Sequence, residues 1–222
     1  MSDLPALNDP QKKVPIPWWQ RFLREVVLET LLPAWLFVTF LAIPVGVRGE
    51  SMSPTLNTGD YLIVYKLERW FAAWGIRPNY LQRGDLVVVK PPQENPNSSE
   101  PLSAYLEGLP LVSFLAWRIP DDWTFRPYLI KRIIGVPGDT IEIKKGEVFV
   151  NDQRLREFYT SETKGLDNAM KTVVRVGTFY VMGDNRRLGA SLDSRAFGLV
   201  KAKDVAGRAT WRLFPFSRFG TP

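Results

Sequence analysis

Two side chains in this sequence are of the types that could together hydrolyse a bond, a serine and a lysine. Ser51 lies in the run GESMSPTL at residues 49–56, and Lys131 opens the run KRIIGVPGD eighty residues later. The 222-residue chain has no histidine and no cysteine. That composition excludes a Ser-His-Asp triad, a thiolate nucleophile and any metal site that needs histidine or cysteine ligands. The remaining common way to activate a serine hydroxyl is a neutral lysine.

Lys131 can take up the serine proton only when it is uncharged, so its pKa must fall from about 10.4 toward the working pH. Burial among apolar neighbours lowers a lysine pKa because desolvation disfavours the ammonium. Side-chain alternation in a strand puts Lys131 on the same face as Leu129 and Ile133. The alternative is an edge-strand lysine that points to solvent. For Ser51, the alternative is a turn-forming serine in a loop that follows a helix.

The residues after Ser51 predict a mainly β body, because short β-type runs alternate with Gly, Pro, Asn and Asp. Their spacing, without long helices between them, favours an antiparallel barrel or sandwich. Two segments interrupt the pattern, a stretch at 67–82 that begins as a short helix and an insertion at about 93–126. The expected strands are Tyr61–Tyr65, Leu86–Lys90, Tyr128–Ile134, Thr140–Ile143, Glu147–Val150, Thr172–Val176, Thr178–Met182 and Ala206–Leu213.

Residues 26–47 predict one uncleaved transmembrane helix. Residues 30–47 carry no charge, and 22 residues at about 1.5 Å rise span roughly the 30 Å of the hydrocarbon layer. No A-x-A site follows, which disfavours a cleaved signal peptide, whereas a buried helix of a soluble core stays an alternative. Four Lys or Arg precede this segment and two follow within twenty residues. This bias predicts a cytoplasmic tail at 1–25 and a body at 48–222 on the trans side of a cell or thylakoid membrane.

The net charge of +6 lies wholly in residues 48–222, because residues 1–47 contain four basic and four acidic side chains. A basic body beside a bilayer suits anionic lipid head groups, and a solvated basic surface is the plainer interpretation. Nucleic acid is not expected as a partner, since the basic residues are scattered and no nucleic-acid motif occurs. We expect no cofactor, no metal and no obligate protein partner.

Four segments, in order behind the apolar stretch, resemble the type I signal peptidases (leader peptidases), which are membrane-anchored Ser-Lys endopeptidases. They are residues 49–56, residues 83–88 (RGDLVV), residues 131–139, and GDNR at 183–186 followed by SLDSR at 191–195. The similarity extends from the anchor to about Val200. The resemblance implies a signal-peptidase-like β catalytic domain. It also implies an enzyme that cleaves N-terminal signal peptides from exported precursors through an acyl-enzyme.

The same resemblance implies the roles of single residues. Ser51 would be the nucleophile, and Lys131 would be the general base that later protonates the leaving amine. Ser191 would hydrogen-bond Lys131 and hold it toward Ser51. The stretch at 187–190 is about two residues longer than the usual family spacing, so Ser194 is the alternative for this role.

Further roles are implied for residues around this pair. Asp193, Arg195 and Arg132 would form structural ion pairs near the site. Met52 and Ile130 would shape shallow pockets for small substrate side chains, typically alanine. Some relatives place an oxyanion-donating serine two residues before the nucleophile, but this chain has Gly49 there. We expect the backbone N–H of Ser51 to be one oxyanion donor, and the sequence leaves the second donor open.

Three other functions compete with this interpretation. A Ser-x-x-Lys match at 161–164 would suggest a penicillin-binding site, but it lacks a Lys-Thr-Gly partner and a helix to open. A self-cleaving repressor-type Ser-Lys protease would be soluble, which the apolar segment argues against. An inactive, membrane-tethered domain that binds extended peptides by strand addition belongs to a different class.

Overall fold

The computed structural model describes residues 16–37, 41–66, 80–92, 128–160, 165 and 167–222. The chain divides into two compact units, Met1–Phe37 and Val38–Pro222. In the first unit a helix runs through three consecutive segments, α1 Trp18–Phe22, a π-helical stretch Leu23–Leu31 and α2 Leu32–Leu36. The insertion at 93–126, the Ser-x-x-Lys match at 161–164 and most of the stretch at 67–82 lie outside the described residues.

The predicted helix at 26–47 is wrong at its C-terminal end, where Ala42–Gly46 form strand β1. This strand pairs antiparallel with β2, Tyr61–Tyr65. β1 is an edge strand, which explains how it tolerates Pro44: a proline has no N–H to donate to a second neighbour. Among the residues that the structure describes, no helix is long and apolar enough to cross a membrane.

The unit from Val38 onward is mainly β, and every strand pairing in it is antiparallel. Its other strands are β3 Leu86–Val89, β4 Leu129–Gly135, β5 Thr140–Lys144, β6 Glu147–Val150, β7 Gln153–Arg154, β8 Ala169–Val173, β9 Thr178–Met182, β10 Val200–Lys201 and β11 Val205–Phe214. They form a seven-stranded sheet of order β1-β2-β11-β3-β4-β9-β10 and a four-stranded sheet of order β7-β6-β5-β8. The mainly antiparallel β prediction is confirmed, in the form of two open sheets.

Most strand predictions match the structure to within a residue or two, but the one at 172–176 is wrong. β8 ends at Val173, and the next residues turn into β9. Thr178 donates its backbone N–H to the Arg175 carbonyl at 3.0 Å, and Gly177 has φ +75°. A residue in that left-handed region cannot extend a strand, so the turn ends β8 early.

The seven-stranded sheet positions the site because its interior strands are buried. β4 lies between β3 and β9, and its residues from Lys131 to Gly135 are all buried. Side chains of β2, β3 and β11 pack with residues of the loop that follows β1, including Met52 and Leu56. The loop thus packs on the same sheet that contains β4.

Candidate active site

Ser51 lies in the loop that joins β1 to β2, residues 47–60, here called the Ser51 loop. The base of the loop is closed by two backbone hydrogen bonds, from Val47 N–H to the Asp60 carbonyl at 2.8 Å and from Gly59 N–H to the Val47 carbonyl at 3.0 Å. Gly49 has φ +86°, a conformation that glycine adopts without the steric cost of a Cβ, and it turns the chain just before Ser51. These hydrogen bonds and the Gly49 turn therefore give the loop a defined conformation.

Lys131 and Ser51 are in direct contact. The Lys131 Nζ lies 2.9 Å from the Ser51 Oγ, and the lysine is only 1% exposed. The alternative of a lysine pointing to solvent is therefore wrong. Burial lowers the pKa of Lys131 to about 8, an effect that the Asp193 and Asp184 carboxylates oppose and that the Arg195 cation reinforces. A lysine in this state is neutral in a large fraction of molecules near pH 8, so it can accept the serine proton.

Ser191 lies beside Ser51 across Gly183. A Cβ added to Gly183 would stand 2.3 Å from the Ser191 Oγ and 2.4 Å from the Ser51 carbonyl oxygen, so only glycine fits there. The Ser191 Oγ is buried, and its interaction with the Asp193 carboxylate helps to lower the pKa of Asp193. The Ser194 Oγ instead accepts the Val181 N–H of β9 at 2.9 Å. Ser191 is therefore the serine that lies on the side of Ser51, whereas Ser194 is engaged by the backbone of β9, and this favours Ser191 for the role of orienting Lys131.

Asp193 and Arg195 form a two-pronged ion pair next to Ser191. Arg195 Nε donates to Asp193 Oδ1 at 2.9 Å and Nη2 donates to Oδ2 at 2.8 Å. Asp193 also accepts the Gly183 N–H at 3.0 Å, and it caps the helix α3, Ser194–Phe197. Burial alone would raise the pKa of Asp193, but Arg195 and these hydrogen bonds outweigh it and lower the pKa. The aspartate thus carries a fixed charge that holds the Gly183 turn.

Arg132, the residue after Lys131, pairs with Asp184 in the same two-pronged way. Its Nε donates to Asp184 Oδ1 at 2.8 Å and its Nη2 to Oδ2 at 2.7 Å. Thr55 Oγ1 donates to the same carboxylate at 2.6 Å, and the guanidinium stacks over the Tyr159 ring at 4.0 Å. One aspartate therefore ties the Ser51 loop to the strand that carries Lys131.

Two contacts near the site involve residues to which the sequence analysis assigned no role. Asn185 donates its backbone N–H to the Ser51 carbonyl at 3.0 Å and its side-chain amide to the Glu50 carbonyl at 3.1 Å. Arg186 is 2% exposed and forms an ion pair with Glu157, whose side chain is fully buried. The family segment at 183–186 signalled the first two positions, whereas nothing in the sequence around Glu157 marked it.

Met52 and Ile130 belong to one apolar cluster beside the Ser51–Lys131 contact. Met52 is 1% exposed, and Ile130 is partly buried and packs against the same cluster. Of the two, Ile130 is the one that presents apolar surface, and the buried Met52 packs in the cluster beneath it. Within the described ranges, no three acidic side chains are grouped as metal ligands.

Sequence comparison relates this chain to one protein family. Residues 19–214 match the family described as "Signal peptidase, peptidase S26". The chain is 30% identical over 210 residues to "Signal peptidase I" of Bacillus licheniformis, covering 90% of this chain and 89% of that protein. It is 31% identical to "Probable signal peptidase I-1" of Synechocystis sp., covering 93% and 89%.

A third relative, "Signal peptidase IB" of Staphylococcus aureus, is 30% identical, covering 81% of this chain and 82% of its own. Among solved structures, a signal peptidase I from Enterococcus faecalis is 23% identical. That match covers 60% of this chain and 98% of the other, with a TM-score of 0.39.

Proposed function

Since this chain belongs to the signal peptidase family, peptidase S26, and is a type I signal peptidase that cleaves signal peptides, we propose that it does so with a Ser51–Lys131 dyad. The carrying observation is the 2.9 Å contact between the Lys131 Nζ and the Ser51 Oγ. Burial and a pKa lowered to about 8 make this lysine suitable as a base.

The reaction follows from these positions. Neutral Lys131 takes the Ser51 proton as the serine oxygen attacks the scissile carbonyl, which leaves an ammonium and a tetrahedral oxyanion. Collapse of this intermediate breaks the C–N bond, and the Lys131 ammonium gives its proton to the departing amine. A water molecule, deprotonated by the same lysine, then hydrolyses the acyl-enzyme and restores Ser51.

The backbone N–H of Ser51 stabilises the oxyanion. Among the described residues this N–H has no intramolecular acceptor, so it is free to donate to the substrate. Gly49 has no hydroxyl to add a second hydrogen bond from the position where some relatives have a serine. One such donor contributes about 2.7–4 kcal/mol to the transition state.

The neighbouring residues hold the dyad in place. Ser191 orients the Lys131 amine, and the Asp193–Arg195 pair fixes the Gly183 turn beside it. The Arg132–Asp184 pair fixes β4 against the Ser51 loop through Thr55. These residues position the reacting groups and do not themselves contact the scissile bond.

The substrates are signal peptides of exported precursors with small side chains before the cut, which fit a shallow surface shaped by Met52 and Ile130. The enzyme works at a membrane. Residues 1–25 are cytoplasmic, the apolar segment from Val26 up to β1 is the anchor, and the catalytic unit lies on the trans side of a cell or thylakoid membrane. The uncharged residues from 30 to the start of β1 and the basic residues before them support this arrangement.

A cluster of exposed aromatic side chains supports a bilayer as partner of the catalytic unit itself. Tyr61 and Phe214 are packed edge to face, with their ring centroids 6.3 Å apart, and Phe214 and Phe216 are packed in the same way, with their centroids 5.7 Å apart. Phe216 is 81% exposed. Tyrosine rings are typical of the membrane interface, at the level of the head groups, and exposed phenylalanines supply apolar area that can be buried there.

Two substitutions test the dyad. Ser51→Ala and Lys131→Ala should each abolish cleavage of a purified precursor that carries Ala-x-Ala before the cut, while the circular dichroism spectrum stays unchanged. Ser53→Ala, in the same loop, and Lys144→Ala, an exposed lysine of β5, are matched controls that should cleave normally. Undiminished cleavage by either dyad variant would refute the assigned roles. An inactive wild-type protein that still bound precursors would support a binding module instead, and cleavage of its own chain would support a self-cleaving protease.

A further inference from the structure

Asp60 is a buried carboxylate at the end of the Ser51 loop, nine residues after Ser51. It is 1% exposed, and its Oδ2 accepts the Asn57 N–H at 3.1 Å inside the loop. Its backbone carbonyl accepts the Val47 N–H that closes the base of the loop. The position of Asp60 therefore determines how the loop leaves the sheet. A buried carboxylate needs cationic partners to stay charged at low cost.

Those partners come from the C-terminal end of the chain. Arg218 Nη2 donates to Asp60 Oδ1 at 2.5 Å. Arg212, on β11, donates from Nη2 to the Thr55 carbonyl at 2.7 Å, and its Nε lies 3.4 Å from Asp60 Oδ2. Two arginines thus contact the Ser51 loop at two separate points, on either side of Leu56.

The local structure of the C-terminal segment holds Arg218 in place. After β11 the chain turns through a short 3₁₀ helix, Phe216–Arg218, and folds back on the strand. Arg212 and Gly220 exchange two backbone hydrogen bonds, of 2.7 and 3.2 Å. The Trp211 and Phe219 rings also pack against each other, with their centroids 5.6 Å apart. The family match ends at residue 214, so Arg218 comes from a segment beyond it.

We propose that this C-terminal segment, residues 212–220, is a clamp that positions Ser51 for attack, with Arg218 and Arg212 as positioning residues that act through Asp60 and Thr55. The inference rests on the proposed function of Ser51. Asp184 holds Thr55 from the side of β4, and the clamp holds the same loop from the C-terminal side. Loss of the contacts on either side would let Ser51 move away from Lys131. A displacement of about 1 Å between reacting groups can lower the rate about 100-fold.

Arg218→Ala in the full-length enzyme is the primary test, because Arg218 is 37% exposed on its side chain and its loss does not open the core. We expect kcat to fall about tenfold or more, with KM within twofold of wild type, because the loop geometry is disturbed and the substrate surface is not. The matched control is Arg154→Ala. Arg154 pairs with Glu147 at the same 2.5 Å distance in the four-stranded sheet, and its removal should leave kcat unchanged.

Guanidinium in solution separates positioning from general stability. Because the Arg218 side chain is partly exposed, millimolar guanidinium, far below denaturing concentrations, can occupy the gap left in Arg218→Ala. It should restore most of the lost kcat in this variant and have no effect on Arg154→Ala. A fall in the midpoint of thermal unfolding alone would not respond to guanidinium in this way.

A double-mutant cycle adds a second, independent measurement. Asp60→Asn keeps the shape of the carboxylate and removes its charge. If Arg218 acts through Asp60, the double variant Asp60→Asn/Arg218→Ala should lose no more kcat than the more damaging single variant.

These outcomes decide the question. Loss of kcat in Arg218→Ala, guanidinium rescue and non-additivity with Asp60→Asn support the clamp. Wild-type kcat in Arg218→Ala, a loss without rescue, or additive losses would overturn it. Ser51→Ala is assayed in parallel: activity in that variant would instead refute the dyad, so the two failures are distinguishable.

Discussion

At the scale of single residues, the proposed chemistry depends on keeping one amine uncharged next to one hydroxyl. Lys131 is 1% exposed and 2.9 Å from Ser51, and desolvation is the main reason that its pKa is lowered to about 8. Asp193 and Asp184 oppose that shift. Each of these carboxylates is paired with an arginine, Asp193 with Arg195 and Asp184 with Arg132. The ion pairs therefore hold the turns around the site in place, and they limit how far the two carboxylates raise the pKa of Lys131.

The lowered pKa predicts how activity depends on pH. The neutral form of Lys131 is the active form, so kcat/KM should rise with pH, by about tenfold for each unit below pH 8, and level off above it. The measurement is kcat/KM on one precursor peptide between pH 5 and pH 9, with Lys144→Ala as a control of unchanged profile. A flat profile over that range would contradict a lysine base.

At the scale of elements, β11 connects the two halves of the site. It lies between β2, which ends the Ser51 loop, and β3, which borders the Lys131 strand. Gly207 on β11 allows this close packing: a Cβ there would stand 2.5 Å from the Tyr65 carbonyl oxygen and 2.8 Å from a Val64 methyl group. The register of β11 shifts at this point as well.

Gly207→Ala should therefore destabilise the fold by about 1–3 kcal/mol, because the added methyl group meets rigid backbone of β2. Gly46→Ala on β1 is the matched control: its Cβ would meet the Tyr61 ring at an ordinary 3.5 Å, so the free energy of unfolding should stay the same or rise by up to about 1 kcal/mol. Chemical denaturation of both variants measures this difference. Equal stabilities would show that β2 and β11 can move apart freely.

At the scale of the whole molecule, the proposed membrane partner makes a prediction for the aromatic cluster of Tyr61, Phe214 and Phe216. The natural chain contains no cysteine, so single cysteines can be labelled selectively. Phe216→Cys carrying an environment-sensitive dye should show a blue-shifted emission in proteoliposomes, and nitroxide lipids should quench it. The physical reason is that position 216 would lie at the head-group level, which places the attached dye in an apolar environment.

The matched control is Met170→Cys, since Met170 is equally prominent, at 90% exposure, but lies on β8 of the other sheet. Its dye should remain in a water-like environment. Identical spectra at both positions would contradict a bilayer contact through the aromatic cluster. Because the readout is optical, it is independent of the catalytic assays.

The sequence by itself predicted the class of fold, the family and the proposed chemistry. The absence of histidine and cysteine left a lysine as activator of Ser51, alternating runs indicated an antiparallel β body, and four segments pointed to the signal peptidases. It failed at Ala42–Gly46, where an apolar run suited a helix as well as an edge strand, because hydrophobicity alone does not distinguish the two.

Only the tertiary structure decided which residues hold the site together. Asp60 and Arg218 are 158 residues apart, and Thr55 and Asp184 are 129 apart. A charged residue in a loop looks the same in sequence whether it faces water or a buried partner. The Asp60–Arg218 pair forms because β11 lies next to β2. The Thr55–Asp184 pair forms because the Ser51 loop packs back on the sheet that contains β9. Sheet order is set by long-range packing that no local pattern encodes.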